Sequence, residues 1–148
     1  LSELQINHEE QDLILDRTLS ETVKATLVQA RRGQGLFRKR VHLIEIGCRV
    51  TNVTAERLLV ASHIKPWKES SNEERMSGNN GLFLSPHVDA LFDKGLITFT
   101  SSGGIEVSSQ LERDVLPRWK IDPTLKVGKF NSEQSFFLDF HNKEVFIP

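Results

Sequence analysis

The sequence predicts an α+β fold, with helices first, a β-hairpin and short helix at the centre, and a second hairpin and helix at the end. Three observations carry that expectation. Apolar residues recur at helical spacing up to Gly33 and again after it. Short apolar or β-branched runs, "CRVTN", "RLLVASHI" and "GLFLS", are bounded by turn residues. Ser85-Pro86 and Gly95 then frame a helix of about two turns, with an N-cap, a proline at the first helical position and a glycine stop.

The elements follow in order. "DLILDRTLSETVKATLVQARRG" reads as helix, with Thr18 or Ser20 as cap, Val23, Leu27 and Ala30 on one face, and Gly33 as the end. "GLFRKRVHLIEI" reads as a second short helix with Leu36, Val41 and Leu43 facing inward. "CRVTN" and "RLLVASHI" are expected to pair as a hairpin. Residues 68–80 are polar and loop-like, and "GLFLS" is a short strand or extended run. "HVDALFDK" is the central helix, and "LITFTSSGGIEVS" turns over Ser101 to Gly104 as the second hairpin. "SFFLDFHNKEVFI" is expected to be helical and then extended.

A chain of 148 residues suits one ordinary domain with a real core. Hydrophobic residues at 38 % and charged residues at 26 % are a soluble globular composition, and no apolar run nears the ~20 residues of a membrane helix. Cys48 is the one cysteine, which excludes both a disulfide framework and a cysteine zinc knuckle within one chain. A reducing, cytoplasmic setting is expected. The start at Leu1 points to a processed chain or a piece of a longer protein.

The net charge of −1 hides an asymmetry. Residues 1–21 balance to −5 and residues 22–50 to +6. Residues 1–20 are therefore read as an acidic arm or linker and residues 21–148 as the working domain. Local fields steer binding whatever the overall balance, so a polyanionic partner fits the basic stretch Arg31, Arg32, Arg38, Lys39 and Arg40. A solvated helix face is the plainer explanation of such a run.

Four residues carry candidate chemistry. Asp89 and Asp93 lie four apart and share one face of the expected helix. Like charges at that spacing cost about 0.2–0.5 kcal/mol in an isolated helix, and a divalent cation between them reverses the penalty. His63 ends an apolar run, and Asn80 precedes a glycine. Each of the four has an ordinary structural explanation when taken alone.

Order and spacing change that reading. His63, Asn80 seventeen residues on, Asp89 nine beyond and Asp93 four further form a spaced set. It resembles the HNH nuclease motif, a β-hairpin and short helix around one metal. The blocks "RRGQGLFR" (31–38), "CRVT" (48–51), "ASHIKPW" (61–67) and "NGLFLSPHVDALFDKG" (80–95) resemble one branch of HNH endonucleases in order and length. "FLDFHNKEVF" (137–146) resembles that branch's C-terminal block.

The resemblance implies a ββα-metal core and places residues in roles. His63 falls at the general base, where an imidazole with a reference pKa near ~6.5 is neutral yet basic at pH 7. Asn80 falls at the position that orients the base, and Asp89 and Asp93 fall at the metal positions. Asp89 stands where the motif usually has His, so the carboxylate pair favours Mg²⁺ or Mn²⁺ over softer ions. Ser62 stands where many relatives place another ligand. Of the four positions that hold a zinc staple in many HNH hairpins, Cys48 keeps the cysteine, while Thr51, Ser85 and Val88 fill the others. Cys48 is expected to be buried. Gln34 and Lys65 join the five bases as candidate nucleic-acid contacts. His87 is a secondary ligand candidate; His8, His42 and His141 are expected to be structural, and Trp67 to pack.

The function so implied is metal-dependent hydrolysis of double-stranded DNA by a restriction-type endonuclease or its nuclease domain. A catalytically decayed DNA-binding module and a toxin-type nuclease are the alternatives. Cutting both strands with one site per chain favours a homodimer, and a longer chain would add a DNA-recognition domain.

Overall fold

The computed structural model describes residue 15, residues 17–31 and residues 35–148. Most of the acidic arm (residues 1–14 and 16), and Arg32, Gly33 and Gln34, therefore lie outside the described residues. Helix α1 (Glu21–Arg31) starts where the Ser20 hydroxyl accepts from the Val23 N–H at 3.2 Å, the expected cap. Its Leu27 is fully buried. Helix α2 (Leu36–Ile44) buries Phe37 and Val41, a pair four residues apart. Leu43 is 85 % exposed and Leu36 37 %, which corrects the inward face read from sequence. The stripe is real but rotated.

The expected pairing of "CRVTN" with "RLLVASHI" does not form. Residues 48–53 close a tight loop instead, with Asn52 N–H donating to Cys48 O at 2.8 Å and Cys48 N–H to Val53 O at 2.9 Å. Asn52 takes φ 63°, a left-handed turn conformation that asparagine tolerates. Strand β1 (Val60–His63) pairs antiparallel with β2 (Gly81–Leu84), placing His63 opposite Gly81 and Ala61 opposite Phe83. The polar segment between them holds helix α3 (Asn72–Met76), nucleated by a capping box. Ser71 Oγ accepts from Glu74 N–H, and Glu74 returns a carboxylate to the Ser71 N–H.

Helix α4 (Pro86–Asp93) follows β2 directly and buries Val88, Leu91 and Phe92. Gly95, at φ 72°, ends it as expected. Its N–H bonds to Phe92 O, and the Leu96 N–H reaches Leu91 O at 2.9 Å, a Schellman closure. Strands β3 (Ile97–Phe99) and β4 (Ile105–Val107) form the second hairpin. Helix α5 (Val115–Arg118) is a single turn, and α6 (Ser132–Phe140) runs into a wider π-type turn at His141–Val145.

Both faces of β2 are buried, with Leu82, Phe83 and Leu84 each 1 % exposed. At ~1.5–3 kcal/mol per large apolar side chain removed from water, this strand is the centre of the fold. Helix α4 covers one side of the hairpin, and α2 supplies Phe37 and Val41 to the same core. The zinc-staple positions also meet here. Thr51 Oγ1 and Ser85 Oγ lie 2.7 Å apart, and Cys48 and Val88 are buried in the same core. Burial raises the Cys48 thiol pKa, but hydrogen bonds from the Thr51 hydroxyl and from backbone groups of Ser85, Thr51 and Val50 bring it below its ordinary value. Hydroxyl–hydroxyl bonding and apolar packing hold these four positions together.

His141 closes the back of α4. Its Nε2–H donates to Phe92 O at 2.9 Å, its Nδ1 lies 2.8 Å from Thr98 Oγ1, and its ring stacks on Phe92 at 3.8 Å. Burial pushes its pKa down to about 4, against smaller opposing contributions from the Phe92 carbonyl and Asp93. The folded pKa lies below the unfolded one, so the stabilisation is present above pH ~6.5 and is lost as pH falls toward 4. Between pH 7 and 5 this group is expected to remove roughly 2 kcal/mol, at 1.36 kcal/mol per unit. Urea titrations at the two pH values check this, because His141→Gln should be less stable at pH 7 and lack that part of the acid dependence.

Candidate active site

The site is assembled by the β1–β2 hairpin, the segment between its strands, and α4. His63 terminates β1, and its Nε2 lies 2.8 Å from Arg75 O on α3. A carbonyl only accepts, so Nε2 carries the proton and the neutral ring keeps its lone pair on Nδ1. Phe37 stacks on the ring at 3.8 Å and 5°, and Trp67 meets it edge-on at 5.7 Å.

Asn80 is completely buried and spends its amide on the inter-strand segment. Oδ1 accepts from Lys65 N–H at 2.8 Å, and Nδ2 donates to Glu74 O at 3.1 Å, with longer contacts to Lys65 O and Ser70 Oγ. Its backbone carbonyl accepts from Ile64 N–H at 3.0 Å. These side-chain bonds hold the inter-strand loop. They seat the Glu74 carbonyl, one peptide before the Arg75 carbonyl that His63 meets.

Lys65 and Glu74 tighten the same clamp. Lys65 Nζ lies 3.0 and 3.1 Å from the two Glu74 oxygens and 5.1 Å over the Phe140 ring. Burial pushes the Glu74 carboxyl up, but the Ser71 N–H and the Lys65 ammonium pull it below its ordinary value. Arg75 donates from Nε to Trp67 O at 3.0 Å and from Nη1 to Asn72 Oδ1 at 3.1 Å, with its guanidinium over the Trp67 ring. The motif's spacing shows none of these carbonyl, Glu74 or Trp67 contacts. The one sequence signal for α3 was the S-x-x-E pattern at Ser71 and Glu74.

Asp89 and Asp93 lie on α4 and interact electrostatically. Burial pushes the Asp89 carboxyl up, a hydrogen bond from the Ser62 hydroxyl opposes this, and the Asp93 charge pushes it up again. Ser62 is buried beside His63, so β1 joins the base position to the carboxylate pair. Among the described residues no group of three His, Cys, Asp or Glu side chains converges. Two carboxylates are hard oxygen donors, the ligand type that Mg²⁺ and Mn²⁺ take. His87 meets Trp119 edge-on at 5.4 Å.

The candidate nucleic-acid contacts separate. Arg38 Nη1 donates to Leu59 O at 2.9 Å, Nη2 donates to Glu56 O, and the guanidinium lies 5.0 Å over Phe83. Its charge is committed to holding the 56–59 turn against α2, as the Lys65 charge is committed to Glu74. Arg40 gives one nitrogen to Met76 O at 3.0 Å and stays exposed, as does Lys39. Arg31 ends α1; Arg32 and Gln34 lie outside the described residues.

Comparison with protein-family models matches residues 48–100 to the HNH endonuclease family. The match spans the tight loop at Cys48, the β1–β2 hairpin, α4 and β3, which together hold His63, Asn80, Asp89 and Asp93. Over this segment the chain is similar to the HNH endonuclease family, a family of nucleases. No curated protein matches the chain. Among the described residues no helix is long and apolar enough to cross a membrane.

Proposed function

We propose that the chain is a metal-dependent endonuclease that hydrolyses phosphodiester bonds of double-stranded DNA, of restriction type or the nuclease domain of such an enzyme. The observation that carries this reading is the bond from His63 Nε2 to Arg75 O, because it leaves Nδ1 as the basic nitrogen at the end of β1. In this reading Nδ1 takes the proton of the attacking water, and the Arg75 carbonyl holds the imidazolium that forms. Asn80 acts through the clamp that seats this carbonyl. Asp89 and Asp93 hold the Mg²⁺ or Mn²⁺, which when bound supplies charge stabilisation at the scissile phosphate and the departing 3′ oxygen.

Lys39 and Arg40 are the exposed cations proposed to meet phosphates, while Arg38 and Lys65 are assigned to the scaffold. Replacing Lys39 and Arg40 with Gln should lower the salt slope of duplex binding by up to about 0.9 per lost phosphate contact. A salt titration with unchanged slope would return both to the solvated surface.

The two-ligand anchor and the serine at position 62 favour one other reading, a DNA-binding module that has lost catalysis. Plasmid DNA incubated with Mg²⁺ or Mn²⁺ separates the two. Nicked or linear product that disappears on chelation supports the nuclease, whereas duplex binding without product under either metal supports the decayed module.

A further inference from the structure

The Arg75 carbonyl fixes one end of the His63 ring, but it does not fix the ring's face. That face is covered by Phe37, whose ring lies 3.8 Å away and within 5° of parallel. Phe37 comes from α2, outside the matched HNH segment, and is fully buried. It reaches the histidine because the residue opposite His63 in the hairpin is Gly81. A Cβ on Gly81 would sit 2.9 Å from Phe37 Cζ and 2.3 Å from Val41 Cγ2, both closer than carbon atoms approach. The missing side chain on β2 is thus the slot through which α2 supplies the stacking ring. Trp67, edge-on at 5.7 Å, closes another side.

We infer that Phe37 is a positioning residue for the base, seated by Gly81. This rests on the reading of His63 as the general base. The stack restricts the imidazole plane before substrate arrives, so less ordering remains for the reaction step. As the imidazole accepts a proton it becomes a cation lying on an aromatic face, which attracts a cation more than a neutral ring. The contact is therefore stronger in the transition state than before it, and should act on kcat more than on KM.

The test uses the whole chain, with His63→Ala to identify the His63 ring signals by NMR. In the wild type, the His63 carbon-bound ring protons should be displaced upfield by the Phe37 ring current, and ¹⁵N shifts should show the Nε2–H tautomer. Phe37→Leu keeps an apolar side chain and should remove the upfield displacement. It should also lower kcat on plasmid DNA with Mn²⁺ by about three- to tenfold, with KM nearly unchanged. Thermal melting shows which variants fold, and Phe37→Met is the second variant. Should neither fold, the wild-type spectrum decides, since undisplaced His63 protons overturn the stack. A folded Phe37→Leu with wild-type kcat beside an inactive His63→Ala overturns this inference alone. Wild-type cleavage by His63→Ala overturns the base assignment and the inference with it.

Discussion

His63→Ala is expected to reduce DNA cleavage by about 10²–10⁴ while leaving the fold and duplex affinity nearly intact. Rate depends on the ring because water is a poor nucleophile until a neighbouring base takes its proton. The Arg75 carbonyl commits the Nε2 proton, so Nδ1 is the basic nitrogen and the one proposed to take the proton of water. The fold should survive because His63 sits at the end of β1 and is only partly buried. Single-turnover cleavage under matched metal and salt checks the effect. Cleavage at the wild-type rate would remove His63 from the chemistry.

Asn80→Ala carries the second large effect, and it reaches stability and rate together. The side chain is completely buried and bonds Lys65 N–H and Glu74 O, so truncation strands two backbone groups. Each buried unsatisfied group costs about 1–3 kcal/mol. A destabilisation of several kcal/mol is a large fraction of the ~5–15 kcal/mol that holds a typical domain. Any population that remains folded should also cut slowly, because the Arg75 carbonyl loses the clamp that seats it. Denaturant unfolding measures the first effect, and cleavage per folded molecule measures the second. Asn80→Asp keeps an acceptor for the Lys65 N–H but turns a buried carboxylate oxygen toward Glu74 O, so at pH 7 it should be at least as destabilising as Ala.

The central helix was fully legible in the sequence, because Ser85, Pro86 and Gly95 mark its ends by local backbone chemistry. Leu27 was legible from its helical spacing, and the second hairpin from the turn residues Ser101 to Gly104. The first hairpin was only half legible. "CRVTN" has strand-like composition, but Asn52 in a left-handed conformation closes it into a loop, and the partner of β1 lies beyond the seventeen residues 64–80. Helix α3 was hidden in polar residues because five residues show no apolar period. On α2, Val41 was read as inward and is buried, but its partner on that face is Phe37 and not Leu36 or Leu43, a choice made by the neighbouring Gly81, which leaves room for the Phe37 ring and the Val41 methyl.

The site divides along the same line. His63, Asn80, Asp89 and Asp93 are proposed from their order, which the chain carries as spacing. What holds His63 was invisible, since its partners are a backbone carbonyl and a ring from a distant helix. Sequence also marks charge without showing its commitments. Arg38 and Lys65 look like phosphate contacts until Leu59, Glu56 and Glu74 appear beside them.

Mn²⁺ binding, measured by calorimetry with and without duplex DNA for wild type, Asp89→Asn and Asp93→Asn, tests the metal-dependent mechanism most directly when paired with cleavage rates for the same proteins. A two-carboxylate anchor should bind the free ion weakly and hold it more tightly when phosphate fills its open positions. Each substitution should weaken binding and abolish most cleavage. Variants that bind Mn²⁺ and cut DNA as well as the wild type would contradict the account and place the metal away from this helix.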